Sequence, residues 1–264
     1  MRIKIEHTTN YQYGNEVTFS TQYLRITPVN DAHQKIINWD LKLPTKATIS
    51  KDSYGNTLHV ITLDYPHNHI SIEATGTVQI LSNKPYIHDD RLPPEVFLRQ
   101  TDLTRPNQEI IEFAESFRSK WQGRELVKLM SLILTKIPYI PGSTETETTA
   151  IKAFSSEGGV CQDHTQIFIS CCRVLGVPCR YVSGYLCAED SSHVASHAWA
   201  EAWLDHSWYT FDVTNSLTRP ERHIKLAIGL DYLDACPVRG IRYGGGDEWM
   251  TAFADVEQIR PVQQ

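Results

Sequence analysis

Apolar and polar residues alternate with a period of two through most of the first 80 positions, in short runs rich in β-branched and aromatic side chains. The runs are Ile3-Lys4-Ile5, Val17-Thr18-Phe19, Tyr23-Leu24-Arg25-Ile26, Leu58-His59-Val60-Ile61, Ile70-Ser71-Ile72 and Thr77-Val78-Gln79-Ile80. A period of two places alternate side chains on opposite faces of a half-buried strand. Turn chemistry at Tyr13-Gly14-Asn15, Pro28-Val29-Asn30-Asp31, Tyr54-Gly55-Asn56 and Pro66-His67-Asn68 separates the runs. The pattern predicts an antiparallel sheet or small sandwich. His7, Tyr11 and Tyr13 lie near one another without a nucleophile or acidic partner, and are read as packing and edge residues.

Pro85, Pro93 and Pro94 punctuate a connector, and the expected division is a β-rich region over 1–90 and a second region over 91–264. Beyond the connector the period becomes helical. Asn107 suits the N-cap of a helix carrying Ile110, Ile111, Phe113, Ala114 and Phe117. A second helix over 124–136 carries Leu126, Leu129, Met130, Ile133 and Leu134. Ile137-Pro138-Tyr139-Ile140-Pro141-Gly142 breaks that pattern, and a Thr- and Glu-rich stretch over 143–149 is placed as a wall of a substrate cleft. The remainder reads as strands: Arg180 to Leu186, then a polar loop over 188–196, then a hairpin made of His197 to Leu204 and Trp208 to Asn215.

The stretch over 158–178 concentrates the candidate chemistry. Gly158 and Gly159 are read as freeing the backbone for a tight turn, after which a helix starts at Cys161 and stops at Gly176-Val177-Pro178. The first turn of a helix carries partial positive charge, and a thiol placed there is favoured as thiolate. Ile167, Cys171 and Leu175 share a face that anchors the helix. A histidine at the head of one strand, His197, and an aspartate in the next, Asp212, supply the general base and orienting carboxylate that a cysteine nucleophile needs. The hairpin register decides whether they can meet. With Leu204 opposite Ser207, Asp212 falls opposite Trp199 and diagonal to His197 on the same face, about 7–8 Å away. With Leu204 opposite Trp208, the two point to opposite faces and only a bulge reunites them. His193, in the polar loop, and His206, in the hairpin turn, lack the strand position of His197. Asp163 is assigned to the helix start and local hydrogen bonding, since its charge opposes thiolate formation. Glu201, Trp199, Trp203 and Trp208 are assigned to cleft wall or core.

Composition removes other classes. Twenty-five basic and 31 acidic residues give a formal charge of -6 without runs of like charge, so no nucleic acid or anionic membrane is expected as partner. No stretch reaches the length of a membrane span, and the alternating start lacks the apolar segment of a secretory signal, so a cytoplasmic protein is expected. Six cysteines include no C-x-x-C pair, and Cys171, Cys172, Cys179 and Cys187 with His193 match no zinc spacing; neither disulfides nor a metal is expected.

GVCQDHTQ, GVPCRYVSGYL, SHAWAEAW and WYTFDVTN, with HIKLAIGLDYLDACPVRGIRYGGG beyond them, resemble the bacterial transglutaminase-like proteins, a branch of the papain-like cysteine acyl-transfer fold. HTTNYQY and YLRITP resemble the β domain that often precedes this core. The resemblance implies an α+β fold, a papain-like core behind an N-terminal antiparallel β domain, with a triad of Cys161, His197 and Asp212 and no cofactor. Val213 stands where a proline is common, and the hairpin turn is shorter than in many relatives. The implied reaction is acyl transfer from an amide or peptide through a thioester, with hydrolysis expected in the absence of a calcium-loop pattern. Transfer to an amine, or a non-catalytic scaffold that binds peptide, are the alternatives. Substrate-binding residues, substrate identity and oligomeric state are not specified by the sequence.

Overall fold

The computed structural model describes residues 1–82, 92–119, 122–187 and 196–259. Two antiparallel sheets organise it. The larger has seven strands built around β1 (Arg2–Leu24), flanked by β2 (Gln34–Lys42), β3 (Thr48–Lys51), β4 (Thr57–Leu63) and β5 (His67–Ile80). Alternation is visible in β1 itself: Ile3, Ile5, His7, Thr9, Tyr11 and Tyr13 are buried, and the residues between them face outward.

The turn expected at Tyr13-Gly14-Asn15 does not form. The chain stays extended because Gly14 and Asn15 donate their N–H groups to the carbonyls of Asp247 and Gly245. Their local turn preference is overridden by these long-range partners, and the irregularity survives as a shift in the pairing with β5 between Gln12 and Val17. The strands that supply those partners come from beyond the expected boundary. β10 (Val238–Gly244) and β11 (Glu248–Ile259), assigned by sequence to the second region, return to pair with the two halves of β1. The expected division point itself falls within 83–91, outside the described residues.

The second sheet runs β8 (Ser207–Phe211), β7 (His197–Leu204), β6 (Cys179–Leu186), β9 (His223–Gly229). The helices α1 (Gln108–Glu115), α2 (Gln122–Lys136) and α3 (Ala150–Phe154) surround α4 (Cys161–Val174), which packs on β6 and β7. Asn107 caps α1 as expected, its side chain accepting from the Ile110 N–H at 3.0 Å. Ala198, Ala200 and Ala202 on β7 are small, which lets α4 approach the sheet, and Phe168 of α4 stacks on Phe211 at 5.0 Å. The opposite face of β7 carries Trp199 and Trp203 into a second cluster with Phe97, Val182, Trp208 and Ile228.

Side chains from the head of β2 and from the loop before β4 tie the large sheet to the edge of the small one. Gln34 donates to the Lys225 carbonyl and accepts from its N–H, both at 2.8 Å, and Asn56 treats Ile228 in the same way at 2.7 and 2.9 Å. Each amide thus substitutes for one residue of a neighbouring strand along β9.

Buried charges lock the same seam. Glu201, on β7, accepts from Arg180 at 2.7 Å and from Lys225 at 3.0 Å, and Asp31 lies 3.5 Å from Lys225. All four residues are buried or nearly so, and the Arg180 guanidinium also lies over the Trp208 ring at 4.0 Å. Removing one member of a buried ion pair strands the charge of the other. Glu201→Gln should therefore lower the unfolding free energy by about 3 kcal/mol, read as a lower urea midpoint at an unchanged slope.

Candidate active site

Cys161 is the first residue of α4, behind Val160 as an extended N-cap. It is partly exposed, whereas Cys171, Cys172, Cys179, Cys187 and Cys236 are buried. Its N–H, at the start of the helix, has no carbonyl one turn back to bond. Asp163 fills the role assigned to it, accepting at 2.8 Å from the Val160 N–H and at 2.5 Å from the Thr144 hydroxyl, which tethers the 143–149 segment beside Cys161. The glycines before it act differently from the expectation. Neither Gly158 nor Gly159 has positive φ. They are small because of what touches them: a Cβ on Gly158 would stand 2.3 Å from Ile140 Cδ1, and one on Gly159 would stand 3.0 Å from Asp163 Cβ. Gly159 pairs with Tyr139 in a parallel bridge, and this places the Tyr139 phenol near Cys161.

The hairpin adopts the register that unites the other two residues. Leu204 pairs with Ser207 and Ala200 with Phe211, across a two-residue turn in which Asp205 and His206 have φ of 46° and 62°. Both turn residues are left-handed, as a turn matched to the strand twist requires. Asp212 consequently lies on the face of His197, and His197 Nε2 is 2.8 Å from Asp212 Oδ2. Its other ring nitrogen remains for Cys161, whose thiol lies close enough to favour the protonated imidazole. The structure therefore brings Cys161, His197 and Asp212 together, with the His197–Asp212 link a hydrogen bond and the thiol beside the ring.

Two further residues belong to this row and were not identified from the sequence. His223, at the head of β9, places Nε2 2.9 Å from Asp212 Oδ2. Asn215 donates from Nδ2 to the same oxygen at 2.9 Å and from its backbone N–H to Oδ1 at 3.2 Å. The spacing of Asn215, three residues after Asp212, is the signal of a local turn closed by an aspartate. No signal of periodicity or spacing singles out His223, because its relation to Asp212 exists only through the pairing of β9 with β6. His206 lies in the hairpin turn away from the row, and His193 falls within 188–195, outside the described residues.

Burial is the largest influence on His197 and disfavours its charge, yet the Asp212 charge and hydrogen bond, with the Cys161 contact, overcome it and raise the imidazole to about 10. Burial likewise disfavours ionised Asp212, but His197 and His223 together hold its carboxyl well below the usual range. For His223 burial prevails and lowers it, against the pull of Asp212. His164, one turn of α4 beyond Cys161, is also lowered by burial; its ring bridges the Ile137 carbonyl at 2.8 Å and the Thr214 hydroxyl at 2.9 Å.

Among the described residues, His197, Asp212 and His223 form the group whose ligand atoms, all within 4.8 Å of one another, could hold a cation. Both Nε2 atoms are already committed to Asp212 as proton donors, so a cation would have to displace both protons at a site closed to solvent. The residues fit a hydrogen-bonded row better than a metal centre.

Comparison with known proteins agrees with the resemblance read from the motifs. Residues 3–79 match the model of the bacterial transglutaminase-like N-terminal region, and residues 112–213 match that of the transglutaminase-like superfamily. An uncharacterised protein of Mycobacterium leprae is 28% identical over 98% of this chain and 99% of its own length. One from Mycobacterium tuberculosis H37Rv is 30% identical over 92% of this chain and 88% of its own. The crystal structure of a proposed cysteine protease from Cytophaga hutchinsonii superposes with a TM-score of 0.80 at 22% identity, covering 100% of this chain and 92% of that one. That similarity establishes the transglutaminase-like fold.

The signs of the two shifts define a pH window. His197, raised from 6.5, contributes stability in full below about pH 6.5 and loses it as pH rises through about 10. Asp212, lowered from 3.8, contributes in full above that value and loses it as pH falls through its depressed folded value. The melting temperature of wild type should therefore exceed that of Asp212→Asn most between about pH 4 and 6.5, with the gap closing towards pH 10.

Proposed function

The chain belongs to the transglutaminase-like superfamily, and from that premise we propose that it is a cysteine acyl-transfer enzyme that hydrolyses an amide or peptide bond. The observation that carries this reading is the row Cys161, His197, Asp212, in which His197 is 2.8 Å from Asp212 and beside a partly exposed thiol at a helix start.

The chemistry follows from the protonation states. A raised His197 is an imidazolium at neutral pH, paired with the Cys161 sulfur on one side and Asp212 on the other. The thiolate attacks the substrate carbonyl, and the oxygen that becomes negative is met by the free N–H of Cys161. His197 gives its proton to the departing amine, the carbon–nitrogen bond breaks, and a thioester on Cys161 remains. His197, now neutral, takes a proton from water, which attacks the thioester; the acid leaves and the thiolate and imidazolium return. Asp212 keeps its negative charge throughout, holding the ring and the tautomer in which Nε2 carries hydrogen. Amines that reach the thioester before water would give transfer.

Incubating wild type and Cys161→Ala with peptide and amide substrates, with and without an added primary amine, separates these outcomes. Hydrolysis predicts acid as the main product even with amine present, and a loss of roughly 10³-fold or more in Cys161→Ala. An amine adduct as main product assigns transfer, and equal turnover by Cys161→Ala removes the nucleophile. The pH dependence is a second check. Turnover by wild type should fall above about pH 10 as the proton for the leaving amine is lost, while alkylation of Cys161 by iodoacetamide, which needs no such proton, should not fall.

A further inference from the structure

A second histidine addresses the carboxylate that orients the first. His223 Nε2 lies 2.9 Å from Asp212 Oδ2, the oxygen that His197 contacts at 2.8 Å. The ring is fully buried, and its Nδ1 has no hydrogen-bond partner among the described residues. A proton on that nitrogen would be a buried, unpaired donor on a cation, which is costly. The ring is therefore neutral with its proton on Nε2, the only arrangement in which it donates to Asp212.

Its placement is fixed from several directions. The Trp199 indole meets the ring edge to face at 4.8 Å and 68°. Room for that indole comes from Gly184 on β6, where a Cβ would stand 2.8 Å from Trp199 Cη2 and 2.0 Å from the Ile224 carbonyl oxygen. The His223 carbonyl is held by His33 Nε2 at 2.9 Å, from the loop before β2. The titratable groups bearing on this arrangement are Cys161 and His164 on α4, His197 on β7, Asp212 after β8, and His33.

We propose that His223 is a positioning residue of the acyl-transfer site: as a permanently neutral donor it aims Asp212 at His197 and draws off part of the carboxylate's charge, setting how tightly His197 keeps its proton. This rests on the acyl-transfer reading. A carboxylate that accepts fewer hydrogen bonds holds a neighbouring cation more strongly. His197 must be an imidazolium to expel the amine, yet must release that proton for water to resolve the thioester. An Asp212 left to His197 and Asn215 alone binds the imidazolium too well and slows the second half of the reaction. Burial alone would also keep His223 uncharged, and its lowered proton affinity agrees with that role.

The test compares His223→Phe, which keeps an aromatic ring but has no donor, with His223→Gln, whose amide can donate to Asp212. In His223→Phe the high-pH fall of turnover should move up by about half to one pH unit, a 3- to 10-fold change in proton affinity. Its kcat should drop several-fold at neutral pH with KM little changed. His223→Gln should bring the fall back towards the wild-type position. A purely structural role would lower the melting temperature of both variants and leave the fall where it is, which overturns the proposal. Should neither variant fold, ¹⁵N-histidine NMR of wild type decides. A neutral His223 with Nε2 protonated whose ¹⁵N shift follows the titration of His197 upholds it, and one that takes up a proton between about pH 5 and 10, or whose shift ignores that titration, overturns it. Wild type without Cys161-dependent turnover would instead defeat the acyl-transfer reading, a result distinct from an unmoved pH profile.

Discussion

The site depends on a turn of two residues. Asp205 and His206 both adopt left-handed backbone, which residues with side chains enter at some cost, and the reward is the hairpin register that brings Asp212 onto the face of His197. Side chains alternate faces along a strand, so a slip of one residue between β7 and β8 would turn Asp212 away from His197 and towards α4. Register is reinforced away from the turn as well. The alanines of β7 must meet α4, and Trp203 must pack on Trp208 in the opposite cluster. A slip would put indoles against the helix and alanines in the aromatic cluster, so the packing of the whole small sheet enforces the pairing on which the row of Cys161, His197 and Asp212 rests.

Much of this was legible from residue order. The start and stop of α4, the cap at Asn107 and the existence of the hairpin each have a local signature: a glycine pair before a helix, an asparagine before an apolar stripe, two strands with a short turn. The hairpin's register stayed open between two pairings until the structure chose Leu204 with Ser207. The features that escaped are long-range. Gly14-Asn15 carries the local chemistry of a turn, and only strands more than 200 residues later keep it extended. Gly158 and Gly159 looked like conformational devices and are steric ones, a distinction that requires knowing that Ile140 and Asp163 press against them. Asp163 was assigned correctly because its partner, the Val160 N–H, is three residues away. His223 was missed because, unlike His197, it has no carboxylate in an adjoining hairpin strand and meets Asp212 only through the pairing of β9 with β6.

Buried charge in the core is handled in two different ways. Arg180, Glu201, Lys225 and Asp31 form a chain of alternating sign in which every charge has an opposite neighbour. Asp212 is treated otherwise, as one anion surrounded by N–H donors of which His197 is the one raised to carry charge. The first arrangement cancels charge and is suited to holding sheets together. The second leaves a proton whose position can change, which a reaction needs and a scaffold does not.

The amides of Gln34 and Asn56 give the large sheet a part in the identity of the small one. β9 is a terminal strand, and an open strand edge is a template on which any extended peptide, including another copy of the chain, can pair. Here its outward N–H and C=O groups at Lys225 and Ile228 are occupied by side chains from another part of the chain rather than by a strand. The two sheets are thereby inseparable as units of engineering. A shortened chain lacking the first 80 residues would present a sticky border along β9, and grafting the β region of a relative would require that relative to offer two amides at the same spacing.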